Sequence, residues 1–244
     1  MNKYFYDFHI HSCLSPCADN DNTPNNIAGM GSLAGLNMMA LTDHNTTKNC
    51  PAFFTAAKKF GIIPVAGMEL TTAEDIHIIF LLPTLESAAE FDEYVTNKRI
   101  LIENRPDIFG EQLIMDGQDN VIGEDKFLLS NATEITVDEC PSLAEKFGGI
   151  SYPAHIDRES NGIISALGTF PDIKGFKCAE FRDGNNIDTY REKYPIGDRT
   201  AIVSSDAHYI WEIRDKEYYF SLDDEPYSSD FVRRQLFKKL KGNI

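Results

Sequence analysis

The sequence predicts one α/β domain whose strand ends converge on a single polar site, as they do in a barrel. Short apolar runs of strand character alternate with helical segments along most of the chain, the pattern of a sheet wrapped by helices. Its 244 residues suit one barrel-sized domain, spanning 1–244, with a substantial core. Finally, all six histidines lie within or at the end of such runs: His9, His11, His44, His77, His155 and His208 in or after Tyr4–Ile10, Met38–Thr42, Ile76–Leu82, Gly149–Ala154 and Ala201–Ser205. Five of the six have an aspartate within two residues, at Asp7, Asp43, Asp75, Asp157 and Asp206. Histidines kept only for packing would not choose strand ends and acidic neighbours so consistently, and convergence of strand ends is what a barrel provides. We read one polymetal site.

Along the first strand successive side chains alternate faces, so Asp7, His9 and His11 project to one side and Phe8 and Ile10 to the other. The two imidazoles form a metal claw, and Asp7 can take the other ring N–H of a histidine and fix its tautomer. Thr23-Pro24 starts a helix to about Leu36, with threonine as N-cap and proline at the first helical position. The second strand, Met38–Thr42, delivers Asp43-His44-Asn45. Asp43 sits too close in sequence to share the His44 ion and is given a supporting role, while Asn45 and Thr46 either meet substrate or shape the turn. A helix from Pro51 to Phe60 ends at Gly61. Ile62–Ala66 forms the third strand and leads to Glu69, which must be a ligand or a salt-bridge partner to end such a strand. After a turn over Thr71–Asp75, the run Ile76–Leu82 is nearly all apolar, like a strand covered on both faces, with His77 its one polar side chain.

Thr84 opens a helix to about Glu103. Residues 104–133 read as an insertion with a hairpin around Asp116-Gly117, either a lid on the catalytic face or a surface ornament or dimer contact. Thr136-Val137-Asp138-Glu139 is a capping box for a helix to about Phe147. Ile150–Pro153 presents His155, and Arg158 beyond it is a phosphate clamp or a surface ion pair with Asp157 or Glu159. The strand Phe176–Phe181 ends at Arg182, a second phosphate candidate that Glu180 can support. Arg199–Ser205 ends in Asp206-Ala207-His208, whose spacing aims both ligands one way. Glu217–Leu222 and Phe231–Leu240 close the chain as a strand and an amphipathic helix.

Hydrophobic content of 42% and charged content of 25% are ordinary for a soluble globular protein. No apolar run is long enough to span a bilayer and no signal-peptide pattern follows Met1, which points to the cytoplasm. Five cysteines, an odd number, fit a reducing compartment better than a disulfide framework. Cys13 and Cys17 lack the second pair a zinc ribbon needs and are assigned to loop packing. With 38 acidic against 23 basic residues, a net charge of −15, the chain lacks the basic surface that gathers long nucleic acid. A small phosphorylated substrate is the expected partner. Oligomeric state leaves no signature.

Taken in order, Asp7-x-His9-x-His11-Ser12, Thr42-Asp43-His44, Gly67-Met68-Glu69, Ile76-His77, Pro153-Ala154-His155 and Ser205-Asp206-Ala207-His208 resemble the motifs of the polymerase and histidinol phosphatase (PHP) family of metal-dependent phosphoesterases. The resemblance spans residues 4–208. It implies a distorted, TIM-like (β/α)7 barrel with up to three metal ions at the C-terminal ends of the strands. Carried over by position, it implies His9, His11, Glu69 and Asp206 around one ion. Glu69 would bridge to a second ion held by His77 and His155, and Asp19, His44 and His208 would hold a third. The usual short loop after the second histidine is here replaced by Ser12–Ala18, so Asp21 competes with Asp19.

The expected reaction is phosphoester hydrolysis by a hydroxide bridging the first two ions, which Glu69 and Asp206 hold in place. The third ion and Arg158, with Arg182, would neutralise developing charge. Imidazoles and carboxylates without a thiolate set suit two to three zinc, iron or manganese ions. Ser12, Ser204 and Ser205 lie near, but a serine–histidine dyad does not fit histidines committed to metal. A 3′–5′ exonuclease, amidohydrolase chemistry on a C–N bond and a non-catalytic metal-dependent regulator are the competing readings.

Overall fold

The computed structural model describes residues 1–243. Its first half runs β1 (Asn2–Asp7), α1 (Pro24–Leu33), β2 (Met38–Leu41), α2 (Cys50–Phe60), β3 (Ile63–Thr71), β4 (His77–Leu82) and α3 (Leu85–Thr96), followed by α4 (Pro106–Phe109), β5 (Leu113–Met115) and β6 (Val121–Glu124). The second half runs α5 (Cys140–Lys146), β7 (Ile150–Pro153), α6 (Ile163–Leu167), β8 (Cys178–Phe181), α7 (Ile187–Lys193), β9 (Thr200–Val203), β10 (Tyr219–Leu222) and α8 (Ser229–Leu240).

Seven strands form the wall. β1, β2, β3, β4 and β7 are hydrogen-bonded in that order, with β10 added antiparallel outside β1, and β8 and β9 form a parallel pair. Two links curl these pieces toward a ring. The Ile156 N–H donates to the Glu180 carbonyl at 2.8 Å, joining the end of β7 to β8. A parallel bridge between Ile10 and Ala207 joins the segments after β1 and β9. The distortion is β4, which is antiparallel to both β3 and β7. Its first residue, His77, pairs with Thr71 at the end of β3, so it reaches the same rim that the other strands reach with their C-terminal ends.

Period-two alternation divides the apolar side chains into two layers. Met38 and Ala40, Ile63 and Val65, Ile79 and Leu81, Ile150 and Tyr152, Cys178 and Ile202 fill the interior together with Tyr4, Tyr6 and Phe8. Val232, Leu236 and Leu240 of α8 close the end of the interior opposite the histidines. Met39, Leu41, Met68, Ile78 and Phe80 instead meet the surrounding helices through Phe53, Ala56, Phe91 and Leu143. β3 continues this alternation through Gly67 to Glu69, which places that carboxylate over the interior at the rim.

Helix starts follow the capping signals. The Thr23 side chain accepts the Asn26 N–H at the start of α1, Gly61 ends α2 in the left-handed region at φ 71°, and Thr136 and Glu139 form their capping box. Several expected boundaries move. β3 runs on past Ala66 to Thr71, so Glu69 lies within the strand rather than after it. Regular β1 stops at Asp7 rather than Ile10, and Phe8 joins the interior while Ile10 joins the outer layer. α1 stops at Leu33 because the chain turns through Gly35 at φ 77°. The helix after Thr84 ends at Thr96 instead of Glu103, since residues 99–103 are drawn into antiparallel bridges, Arg99 with Thr133 and Glu103 with Phe127. The 104–133 segment contains the expected hairpin, β5 with β6. It is tied to the rim: Leu113 donates to the Cys13 carbonyl at 2.9 Å, and Asn45 Nδ2 donates to the Leu129 and Asn131 carbonyls at 2.7 and 2.8 Å.

Candidate metal centre

One carboxylate lies among five imidazoles. Glu69 Oε1 is 2.8 Å from His77 Nδ1, 3.2 Å from His155 Nε2 and 3.3 Å from His9 Nε2. Its Oε2 is 3.2 Å from both His11 Nε2 and His44 Nδ1. All but His77 are buried and even that ring is largely covered, so these polar atoms cannot all be satisfied by water. Asp206 Oδ1 adds contacts of 3.3 Å to His9 Nε2 and 3.4 Å to His11 Nε2. His208 completes the group, its ring stacked on His11 at 4.3 Å between centroids and its Nδ1 2.8 Å from the Asp206 carbonyl.

The donors fall into three sets compact enough for an ion: His9, His11, Glu69 and Asp206; His44, Glu69 and His77; and His11, His44 and His208. The first is the set expected for the first ion. In the second His44 takes the place expected of His155, although His155 Nε2 still touches Glu69. The third contains His11 rather than Asp19. Asp19 Oδ1 instead accepts the Asp21 N–H at 2.8 Å, although the Asp19 N–H donates to the His208 carbonyl, which keeps its backbone beside the cluster. Asp21 is exposed.

The donor set fits divalent cations. His9 Nε2 and His11 Nε2 face each other at 3.1 Å, the Nδ1 atoms of His44 and His77 approach Glu69 without hydrogen-bond geometry, and the buried Nδ1 of His155 has no partner. Such convergence is costly without a cation, because buried donors and acceptors are left unpaired. The backbone is also strained here: His155 and Asp206 sit at φ 27° and 52°. Each left-handed non-glycine residue costs on the order of 1–3 kcal/mol, and such residues cluster at functional sites.

Charge organises protonation. Burial would raise the Glu69 carboxyl, but His77, His9 and His44 hold it well below the usual carboxylate range. The same contest leaves Asp206 well below its usual value, with His9 and His11 outweighing burial. Burial alone would depress His9, yet Glu180, Glu69 and Asp206 hold it well above the usual imidazole value. His11 is likewise lifted to about 9 by Asp206 and Glu69 against burial. Burial, with His11 adding repulsion, pushes His208 down to about 4. His44 is pushed well below its usual value by burial, which Glu69 does not offset.

Supporting contacts differ from expectation at Asp7, at Glu180, which meets His9 and His155 rather than Arg182, and at Arg158. Asp7 does not take a histidine ring N–H; its Oδ1 accepts the backbone N–H groups of His9 at 3.4 Å and Ser205 at 3.1 Å, because the chain bends after Asp7. That role belongs to Glu180, whose Oε1 lies 2.8 Å from His9 Nδ1 and accepts the His155 N–H at 3.1 Å. Glu180 thus holds residues from two of the strand ends. Asp43 stands behind His11: it accepts from Ser12 N–H, Ser12 Oγ and Ser15 Oγ, each at 2.7 Å, and Ser15 Oγ lies 2.9 Å from His11 Nδ1. Arg158 and Arg182 both donate to Asp206 Oδ2, Arg182 at 3.2 Å, with their side chains 38% and 40% exposed at the opening. Arg158 therefore pairs with Asp206 rather than with Asp157 or Glu159.

A family model for the PHP domain matches residues 7–129, half of the chain. The chain belongs to the PHP domain family. An error-prone DNA polymerase from Symbiobacterium thermophilum is 29% identical over 92 residues, which cover 38% of this chain and 8% of the polymerase. The lesion-specific endonuclease Q from Pyrococcus furiosus shares the fold at a TM-score of 0.66 and 18% identity, over 99% of this chain and 56% of that one. A second endonuclease Q structure, TM-score 0.62 and 18% identity over 99% of this chain and 57% of its own, carries a 27-mer duplex with an abasic lesion at its active site. A Bifidobacterium adolescentis protein provisionally described as a metal-dependent phosphoesterase matches at 0.60 and 17% identity, over 96% of both chains. The PHP chain therefore spans a small part of the polymerase and little more than half of endonuclease Q. The duplex on endonuclease Q also weakens the inference that net charge excludes long nucleic acid, since a protein of this fold grips it. Among the described residues, no helix is long and apolar enough to cross a membrane.

Proposed function

We propose that the chain hydrolyses phosphoesters at a centre of two to three divalent ions, zinc, iron or manganese, in a reducing compartment such as the cytoplasm. The observation that carries this reading is Glu69 in contact with five imidazoles, with Asp206 beside it. His9, His11, Glu69 and Asp206 would hold one ion, Glu69 would bridge to another near His44, His77 and His155, and His11, His44 and His208 offer a third set. The bound ions supply an activated water and a place for the phosphoryl oxygens.

The chain's own residues do the rest. Glu69 stays ionised and so offers both oxygens as ligands. Glu180 fixes His9 with Nε2 turned to the site, and Asp43 acts on His11 through Ser15. Arg158 and Arg182 each spend one donor on Asp206 and keep others for a phosphate oxygen at the opening. Their partial exposure suits groups that meet an incoming ester. The five cysteines are all unpaired, which suits a reducing compartment.

A nuclease reading keeps its place beside the small-substrate one because endonuclease Q shares the fold over nearly the whole chain. The test is hydrolysis of p-nitrophenyl phosphate, its bis-ester and a single-stranded oligonucleotide after loading with each metal in turn. Turnover of at least one is expected. Replacing both arginines with glutamine should raise KM by about 10-fold or more, the loss of hydrogen bonds to a charged group. No hydrolysis of any of the three with any metal would refute the reading.

A further inference from the structure

We propose that Trp211, stacked on Tyr209, is a base-stacking platform beside the metal centre, so that the ester taken there is carried by a nucleoside. This rests on the phosphoesterase reading and names its substrate class. Trp211 is the chain's only tryptophan and, at 71% exposure, is more exposed than any other aromatic side chain among the described residues. Indole is among the largest apolar groups a protein has to bury, so one held in solvent invites a partner.

It is held firmly. Trp211 lies in a 3-10 turn over Ile210–Glu212, which begins two residues after His208 with Tyr209 as its cap. Glu212 Oε2 accepts the N–H groups of His208 at 2.9 Å and Tyr209 at 3.2 Å, and the Glu212 N–H donates to the Tyr209 carbonyl at 2.9 Å. One carboxylate thus fixes both a candidate ligand and the turn that carries the indole. The Tyr209 and Trp211 rings stack at 4.8 Å between centroids and 20° between planes. Tyr209 covers one face of the indole, leaving the other for a further ring.

The position is right for a nucleotide. Trp211 is three residues from His208, so their Cα atoms are at most about 11 Å apart. Asp206, to which Arg158 and Arg182 donate, is two residues before His208. The arginines' partner Asp206 and the indole of Trp211 thus lie on one short stretch of chain, which a phosphate and its base would have to span. Every nucleobase has a π-face, so such a platform selects the class and not the base. The base can belong to a free nucleotide or to the end of a single strand.

Because Trp211 is the sole tryptophan, its fluorescence reports the platform without any turnover. The full chain, metal-free and zinc-loaded, is titrated with 5′-AMP, ribose 5-phosphate and a short single-stranded oligodeoxyadenylate. Saturable quenching by either adenine ligand but not by ribose 5-phosphate is expected. Quenching at lower base concentration by the oligonucleotide assigns the base to a strand end, and the reverse to a free nucleotide. The ratio of KM for 5′-AMP to KM for ribose 5-phosphate should rise about tenfold in Trp211→Ala and return in Trp211→Phe, with kcat changing less than KM. Equal quenching by all three ligands, or by none, overturns the platform, as does an unchanged KM ratio. Quenching without hydrolysis of any ester would instead overturn the phosphoesterase reading and leave the platform standing.

Discussion

Glu180→Gln isolates the carboxylate that holds two strand ends at the metal centre. The side chain keeps its volume, so packing around β8 is preserved, but the charge is lost. Glu180 accepts from His9 Nδ1 at 2.8 Å and from the His155 N–H at 3.1 Å, with both partners buried. A bond to a charged acceptor contributes about 1.5–3 kcal/mol and a neutral one about 0.5–1.5, so losing charge at two bonds costs roughly 2 kcal/mol. At 1.4 kcal/mol per decade that is about a 30-fold weaker Kd, within the usual range for partners of metal-bound histidines. Competition against a fluorescent chelator measures it, with the melting temperature of the metal-free protein as the control for general damage. A Kd within threefold of wild type, or a loss explained entirely by a lower melting temperature, would refute the claim that Glu180 orients His9 and His155.

Metal loading should release protons. Glu180, Glu69 and Asp206 outweigh burial at His9, and His11 is raised to about 9, yet their Nε2 atoms are 3.1 Å apart and cannot both carry a proton. The metal-free pair therefore holds at least one shared proton at pH 7, which a cation must displace. Calorimetry in buffers of different ionisation heat should show at least one proton released per chain at pH 7, and apparent affinity rising with pH until about 9; no release at pH 7 would contradict this. Away from the site, Asp125 receives Arg99 Nη1 and Nη2 at 3.0 Å and Lys48 Nζ at 2.7 Å, which outweigh burial and lower it to about 2. A depressed carboxyl stabilises the fold above its unfolded value near 3.8 and loses that contribution as pH falls through about 2, so Asp125→Asn should cost up to about 2 kcal/mol at neutral pH and only a small part of that at pH 2, read by urea unfolding.

The sequence carried the site because alternation survives in the strands that build it. β3 and β4 keep period two to the rim, so Glu69 and His77 could be aimed correctly from spacing alone. The same reasoning reaches Glu180: Cys178 faces the interior, so the glutamate two residues later faces it too. A glutamate at the end of an apolar strand is the signal applied to Glu69, and Glu180 near the end of Phe176–Phe181 carries it as well. Asp7 misleads for the opposite reason, since β1 loses its regular form just where the claw begins. Two antiparallel bridges end the helix after Thr84 early, and those depend on Thr133 and Phe127, far along the chain. Asp19 stands in a loop whose path is set by contacts with His208 and with β5, which no local pattern encodes.

Metal content by elemental mass spectrometry, on the wild type and on Glu69→Ala reconstituted side by side, tests the central claim most directly. Glu69 touches five of the six histidines. The account predicts two to three ions per wild-type chain, at least one fewer in the variant, and ester hydrolysis that collapses with them. A wild-type chain that retains no metal, or a Glu69→Ala chain that retains the full complement, would contradict it.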